Sequence, residues 1–419
     1  MGLLKALAGL AALISATAAG AAPEHYDLEA RIDPTAGTIS ARLIIDLPVE
    51  QALAESRYVV GERFRIVAAD AGPDTSTEIG PATAPFPGLQ AVTIRTRTGR
   101  PPPRRITIRW EGPLNPPQSG SPVVAASPDR VELFIDSMWL PFRDDLGLIY
   151  TLDARISGLA RDMVVVAQGQ IDRDGDVVRI RREIQDVDFA MVAERGLTRV
   201  VDGDVEVYAR DLGTAHATLF RRHGTAAIDY FRRWFGPLPY RPVRMVVVSR
   251  AAGPGYARRG YVVVAERGGN TPNERGIAGL VAHEFGHAWW YRGGPTTEDY
   301  WMTESMASYV SGRYLESIGY GLAPHELAAL RRESRETGPI LGGGRPSGAA
   351  IYTKGPLLLR DLEARIGRPA MDRIIGELAR DPPDRTAGFL AKIAEIAGAG
   401  AAQAFEADLR RNGYEPPVG

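Results

Sequence analysis

Val281-Ala282-His283-Glu284-Phe285-Gly286-His287 is the stretch on which the reading of this chain turns. Upstream, Thr271-Pro272-Asn273-Glu274 has the make-up of a capping box with proline at the first helical position, which predicts a helix start there. Gly293 marks the expected end, giving a helix over 272–292 whose last turns hold Trp289, Trp290 and Tyr291 as core packing. Within it His283 and His287 are four residues apart and share a face, with Cβ atoms about 5–6 Å from each other. Two imidazoles so placed converge on one cation, and neutral imidazole suits zinc at about 2.0–2.1 Å. Glu284, beside the first histidine, is placed to reach water at the metal instead of the metal itself. With only six histidines in the chain, the pattern arises by chance about 0.005 times at this length, from a rough frequency product. A pair of satisfied core histidines is therefore the weaker account.

A catalytic zinc needs a third protein ligand and an open position. Tyr300-Trp301-Met302-Thr303-Glu304-Ser305-Met306-Ala307 opens the next predicted helix, 298–318, and the Gly293-Gly294-Pro295 turn folds that helix back on the first. Glu304, in its second turn, completes a two-histidine, one-glutamate set. Glu298 and Asp299 sit at the helix start, where acidic residues are expected simply to favour the dipole.

Working outward, the chain changes character near residue 205. Before it the apolar period is two: Tyr26, Leu28, Ala30 and Ile32 alternate with polar residues, as do Val92-Thr93-Ile94-Arg95 and Ile106-Thr107-Ile108-Arg109. After it the period lengthens, with helices expected over Ala215–Trp234, 324–335, 352–367, 370–380 and 387–411, the last broken at Gly398–Gly400, and strands at Arg244–Val248 and Tyr261–Ala265. The expected fold is α+β: an antiparallel β domain over 22–205, then a mostly helical domain over 206–419. Asp172, Asp174 and Asp176 around Gly175 superficially resemble a calcium loop, but the glycine is misplaced and no glutamate follows at the required offset. A solvated hairpin turn is the expectation. His25, His216, His223 and His325 lack a ligand pattern and read as structural or surface residues.

The 419 residues include no cysteine, which excludes thiolate metal sites, cysteine nucleophiles and disulfides. Fifty basic against 51 acidic residues leave a net charge of −1, so no global field draws nucleic acid. Residues 1–21 read as a signal peptide: a basic start, an apolar run over Ala6–Ala19 too short to span a bilayer, and Ala19-Gly20-Ala21 for cleavage after Ala21. The expected location is exported, periplasmic or secreted, with no transmembrane segment.

These segments resemble the zinc aminopeptidases of the aminopeptidase N and leukotriene hydrolase type, which carry a His-Glu-x-x-His helix followed by Trp-Leu-Asn-Glu-Gly-Phe-Ala, here Trp301–Ala307. Phe235-Gly236-Pro237-Leu238-Pro239-Tyr240 and Ile351-Tyr352-Thr353-Lys354-Gly355 are similar to flanking family segments, as are Tyr26–Leu47 and Trp139-Leu140-Pro141-Phe142 in the first half. The resemblance, covering about 24–370, implies a thermolysin-like peptidase domain behind an N-terminal β domain, one zinc per chain, and a peptide or protein substrate. It implies His283, His287 and Glu304 as metal ligands, Glu284 as general base and Tyr352 as oxyanion donor.

Three departures accompany it. Sixteen residues separate His287 from Glu304, where the family usually has 18. Ala257 falls at the glutamate of the family's Gly-x-Met-Glu-Asn segment, which holds the substrate's free amine, while Arg258 and Arg259 add positive charge. Only 67 residues follow Tyr352, so the family's helical C-terminal lid domain is expected to be missing. Substrate contacts are expected from Tyr256, Arg258, Tyr261 and Val262. The Tyr261–Ala265 strand either pairs with an extended peptide or is a buried structural strand. Arg258 and Arg259 read as a solvated pair by default, with selection of acidic or C-terminal groups as the alternative. The intact Glu284 and Tyr352 favour a peptidase; the lost amine anchor favours a non-catalytic peptide- or partner-binding protein on the same scaffold.

Overall fold

The computed structural model describes residues 23–83, 88–115, 125–144, 149–250, 255–266, 272–294 and 296–416; the signal-peptide segment, Thr271 and Pro295 lie outside them. The alternation in the first half builds a seven-stranded sheet from β1 (Glu24–Asp33), β2 (Thr38–Asp46), β3 (Arg65–Asp70), β4 (Arg105–Pro113), β5 (Tyr150–Ser157), β6 (Gln170–Asp174) and β7 (Val177–Asp186), in the order β6-β7-β5-β1-β2-β4-β3. Tyr26, Leu28, Ala30 and Ile32 are all buried, and their polar neighbours face outward. Two four-stranded sheets complete this half. The pairing is antiparallel throughout, as expected, except that β1 and β5 run parallel. The Asp174-Gly175 segment is the turn of the β6–β7 hairpin, with exposed aspartates and Gly175 at φ 62.

The second half is built on a five-stranded sheet of β8 (Thr198–Asp202), β9 (Val205–Ala209), β10 (Val243–Ser249), β11 (Gly255–Arg258) and β12 (Tyr261–Glu266), ordered β8-β9-β10-β12-β11. Its first strand precedes the change of pattern at 205. Helices α1 (Ala215–Phe235), α2 (Glu274–Gly286), α3 (Tyr300–Ser317), α4 (Pro324–Ser334), α5 (Gly355–Ile366), α6 (Arg368–Arg380), α7 (Thr386–Ala397) and α8 (Ala399–Arg410) pack around it. Helix α3 is buried on nearly every face, as a helix at the centre of a helical layer must be.

Two expectations need correction here. Helix α2 starts later and ends earlier than the sequence predicts: Asn273 is its cap, accepting from Gly276 N at 3.2 Å, and the helix stops at Gly286. Trp289 and Trp290 leave the helix to bury their rings against Phe235, and Trp289 also meets Phe231; that burial outweighs another helical turn. Second, the Tyr261–Ala265 strand is not an edge. Gly260, at φ +72, turns the chain so that β11 folds back antiparallel as the outer arm of a hairpin, and β12 is paired on both sides.

Candidate metal centre and active site

Helix α2 delivers His283 from its last turn and His287 as its C-cap, and α3 crosses it closely because Gly286 has no side chain. A Cβ there would meet Val310 at 3.2 Å and the Ala307 Cα at 3.4 Å. This contact brings Glu304 to the histidines. His283 Nε2 lies 3.2 Å from His287 Nε2 and 3.4 Å from Glu304 Oε2, and His287 Nε2 lies 3.8 Å from the same oxygen. Donors at 2.0–2.1 Å around a tetrahedral zinc are about 3.3 Å apart, so the residues fit the ion. They are the only group of three or more His, Asp or Glu with metal-ligand spacing among the described residues.

Each donor is held from behind. Nδ1 of His287 donates to the Trp290 carbonyl at 3.2 Å, and Nδ1 of His283 lies 3.3 Å from the Ser308 hydroxyl, so Nε2 of both rings faces the centre. Tyr300 donates its phenol proton to Glu304 Oε1 at 2.8 Å, leaving Oε2 for the centre. Burial depresses His287 to about 4 and keeps it a neutral ligand. Burial also opposes protonation of His283, yet its hydrogen bond to Glu304 and the charges of Glu284 and Glu304 together raise it. Glu304 stays ionised at about 2: burial acts against this, and the two histidines and Tyr300 outweigh it. Glu284 is 7% exposed and pushed up to about 7, chiefly by burial and in part by Glu304, against the charge of His283. The alternatives to Glu304 are engaged elsewhere, Glu298 accepting from Gly342 N at 2.5 Å and Asp299 from Thr386 N at 2.8 Å.

Tyr352 projects into the same cleft. Its ring centroid is 6.1 Å from that of His283, and it is 39% exposed. It sits in a π-turn, Ala350–Lys354, that opens α5; such turns recur at functional sites. The Ser305 hydroxyl donates to the Ile351 carbonyl at 2.6 Å, tying the turn to the helix that carries Glu304. Loss of hydration and the Glu304 carboxylate raise the Tyr352 phenol, so it is a donor at neutral pH. Lys354 points away and donates to the carbonyls of Gly338 and Arg411. Gly355 is required by close approach: a Cβ would lie 2.1 Å from Ser305 Oγ. Gly355→Ala is therefore expected to destabilise the fold by about 1–3 kcal/mol, and Ser305→Ala in the same chain to recover part of it, read from thermal melts.

The four residues expected to touch substrate lie inside the protein. Tyr256 stacks on Phe134 of the first half at 4.4 Å, and Tyr261 and Val262 are buried in β12. Arg258 is clamped by Asp188, 2.7 Å from its Nε, and Asp188 also accepts from Ile135 N at 3.0 Å. Arg259 lies over the Tyr291 ring at 4.5 Å, and its backbone N–H bonds Asp186. Arg258 is not poised to select acidic groups, because Asp188 of the other domain engages its guanidinium, whereas the Arg259 guanidinium lies between the Tyr240 and Tyr291 rings of its own domain. Of the remaining histidines, His223 is buried and does have an acidic partner, Glu274 at 3.2 Å, along with the Tyr314 hydroxyl at 2.9 Å.

No protein-family model and no curated relative matches the chain. Its fold is that of the M1 zinc metallopeptidases. The M1 zinc metallopeptidase of Deinococcus radiodurans, in a variant bound to a Tyr-Ser-Ala substrate, superposes with a TM-score of 0.68 at 16% identity, over 95% of this chain and 96% of that one. A two-domain M1 zinc metallopeptidase variant bound to L-arginine gives 0.65 at 18% identity, over 98% of both chains. Native leukotriene A4 hydrolase from Saccharomyces cerevisiae gives 0.69 at 14% identity, over 94% of this chain and 68% of that one. At these identities the likeness is one of fold.

Proposed function

We propose that this chain is an exported zinc-dependent peptidase, with one zinc held by His283, His287 and Glu304. The observation that carries the reading is the set of donor separations, 3.2, 3.4 and 3.8 Å, backed by a hydrogen bond behind each donor. When bound, zinc supplies Lewis acidity, polarising the scissile carbonyl and acidifying water. The Glu284 carboxylate takes the proton of the attacking water and passes it to the leaving amine nitrogen. The Tyr352 phenol donates a hydrogen bond to the carbonyl oxygen as it gains charge, a bond strongest in the transition state. Tyr300, Ser308 and the Trp290 carbonyl hold the ligands in register.

Ala257 bears on the substrate. Its methyl is buried, and the neighbouring Arg258 is tied to Asp188, so β11 presents no free carboxylate to an ammonium group. The reading favours internal peptide bonds or blocked N-termini. Purified zinc-loaded protein, with Glu284→Ala as control, is expected to cleave acetyl-blocked peptides at least as well as free ones, read by mass spectrometry. Single-residue removal from free termini alone would establish an aminopeptidase with another amine anchor. No product beyond the control would favour the peptide-binding protein.

A further inference from the structure

The outer face of the seven-stranded sheet carries an ordered line of charge that the zinc site does not use. Strand register sets Arg179, Arg155, Glu29, Arg42 and Arg109 side by side on β7, β5, β1, β2 and β4. Arg155 and Arg179 are directly opposite, as are Arg42 and Arg109, and like charges so placed destabilise a sheet. Arg42 reaches Glu29 at 3.7 Å and Arg179 reaches Asp174 at 3.2 Å. Arg109 and Arg155, and Arg31 one row away, are exposed and have no ion-pair partner among the described residues. Arg31, Arg42, Arg109 and Arg155 line a groove of about 590 Å³.

The pattern selects among anions. Strands lie about 4.8 Å apart, so the centres of the two arginine pairs are about 14 Å apart. An extended peptide advances about 3.4 Å per residue, so carboxylates four residues apart, on one side of the peptide, meet one pair each. Glu29, midway between, then faces the residue two along and favours a cation there. A uniform polyanion would instead place charge over Glu29. Asp27 and Asp153, adjacent one row away on the other side, bound the strip and oppose a flat anionic surface.

We propose that this groove binds an extended acidic segment of another protein, with carboxylates at four-residue spacing and a basic residue between them. The inference does not use the zinc site and stands apart from the peptidase reading.

The test measures fluorescence anisotropy at low salt, in the Glu284→Ala background so that cleavage cannot interfere. The probe is a labelled peptide of four Glu-Gly-Lys-Gly repeats. Its control has the same composition rearranged as two Glu-Glu-Gly-Gly-Lys-Lys-Gly-Gly repeats. The spaced peptide is expected to bind at least fivefold tighter than the control. Arg109→Glu and Arg155→Glu are each expected to weaken it about tenfold, while zinc stoichiometry, as a check on folding, stays unchanged. Equal binding of the two peptides, insensitivity to both substitutions, or tighter binding of linear polyphosphate would overturn the proposal.

Discussion

Glu304→Ala is expected to release the metal. The carboxylate is the only charged donor of the three, and it is 1% exposed, so no solvent-facing group stands ready to replace it. Glu298 and Asp299, the nearest alternatives in sequence, are bound to Gly342 and Thr386. Loss of a supporting hydrogen bond to a ligand costs roughly 10–100-fold in metal affinity. Tyr300→Phe, which removes only the proton donated to Glu304 Oε1, is expected in that range, and Glu304→Ala well beyond it. Competition against a chelator of known affinity measures both. Glu304→Gln keeps the volume of the side chain and guards against a simple folding defect; it is expected to lie with the alanine variant, because it too removes the charge. Zinc retained at wild-type affinity by Glu304→Ala would place the third ligand elsewhere.

The juxtaposition of His283, His287 and Glu304 was readable because much of its geometry is local. His283 and His287 are one helical turn apart, and Glu304 follows after a single short turn, so period and spacing bring the three near one another and the close helix contact at Gly286 completes the approach. Tyr352 was found only through resemblance to a family segment; its place in the cleft depends on the Ser305 bond to Ile351 and on the glycine contact at 355, neither visible in a linear pattern. The supporting residues Tyr300, Ser308 and Ser305 were not singled out, since their roles arise from how α3 packs against its neighbours. The end of α2 was misplaced because Gly293 is a good stop signal, whereas the real stop comes from tertiary burial of Trp289 and Trp290. The burial of Arg258 was hidden for a similar reason: its partner Asp188 is 70 residues away on the other domain. Only the turn glycine at 260 hinted that β11, not β12, is the outer strand.

Glu284→Gln separates the two accounts of this fold most sharply. The substitution preserves size at a buried position and leaves all three metal donors in place, so zinc is expected to bind one per chain as before. A glutamine cannot accept the proton of the attacking water or return it to the leaving nitrogen. General acid–base groups contribute about 10²–10⁴-fold, so turnover is expected to fall by that factor, corresponding to roughly 3–5 kcal/mol of transition-state stabilisation. Substrate affinity should change little, because the side chain acts on water and not on the bound peptide. A protein that uses the scaffold only to bind peptides has no step for Glu284 to serve, and there the substitution would alter neither affinity nor any product. Tyr352→Phe is the companion measurement. In an enzyme it lowers turnover with metal content intact, since the phenol proton is spent on the developing oxyanion. In a binding protein it removes one hydroxyl from a partly exposed ring, and any loss appears in affinity alone. A fall in turnover with both variants, at full zinc occupancy and unchanged peptide affinity, is the pattern that hydrolysis requires.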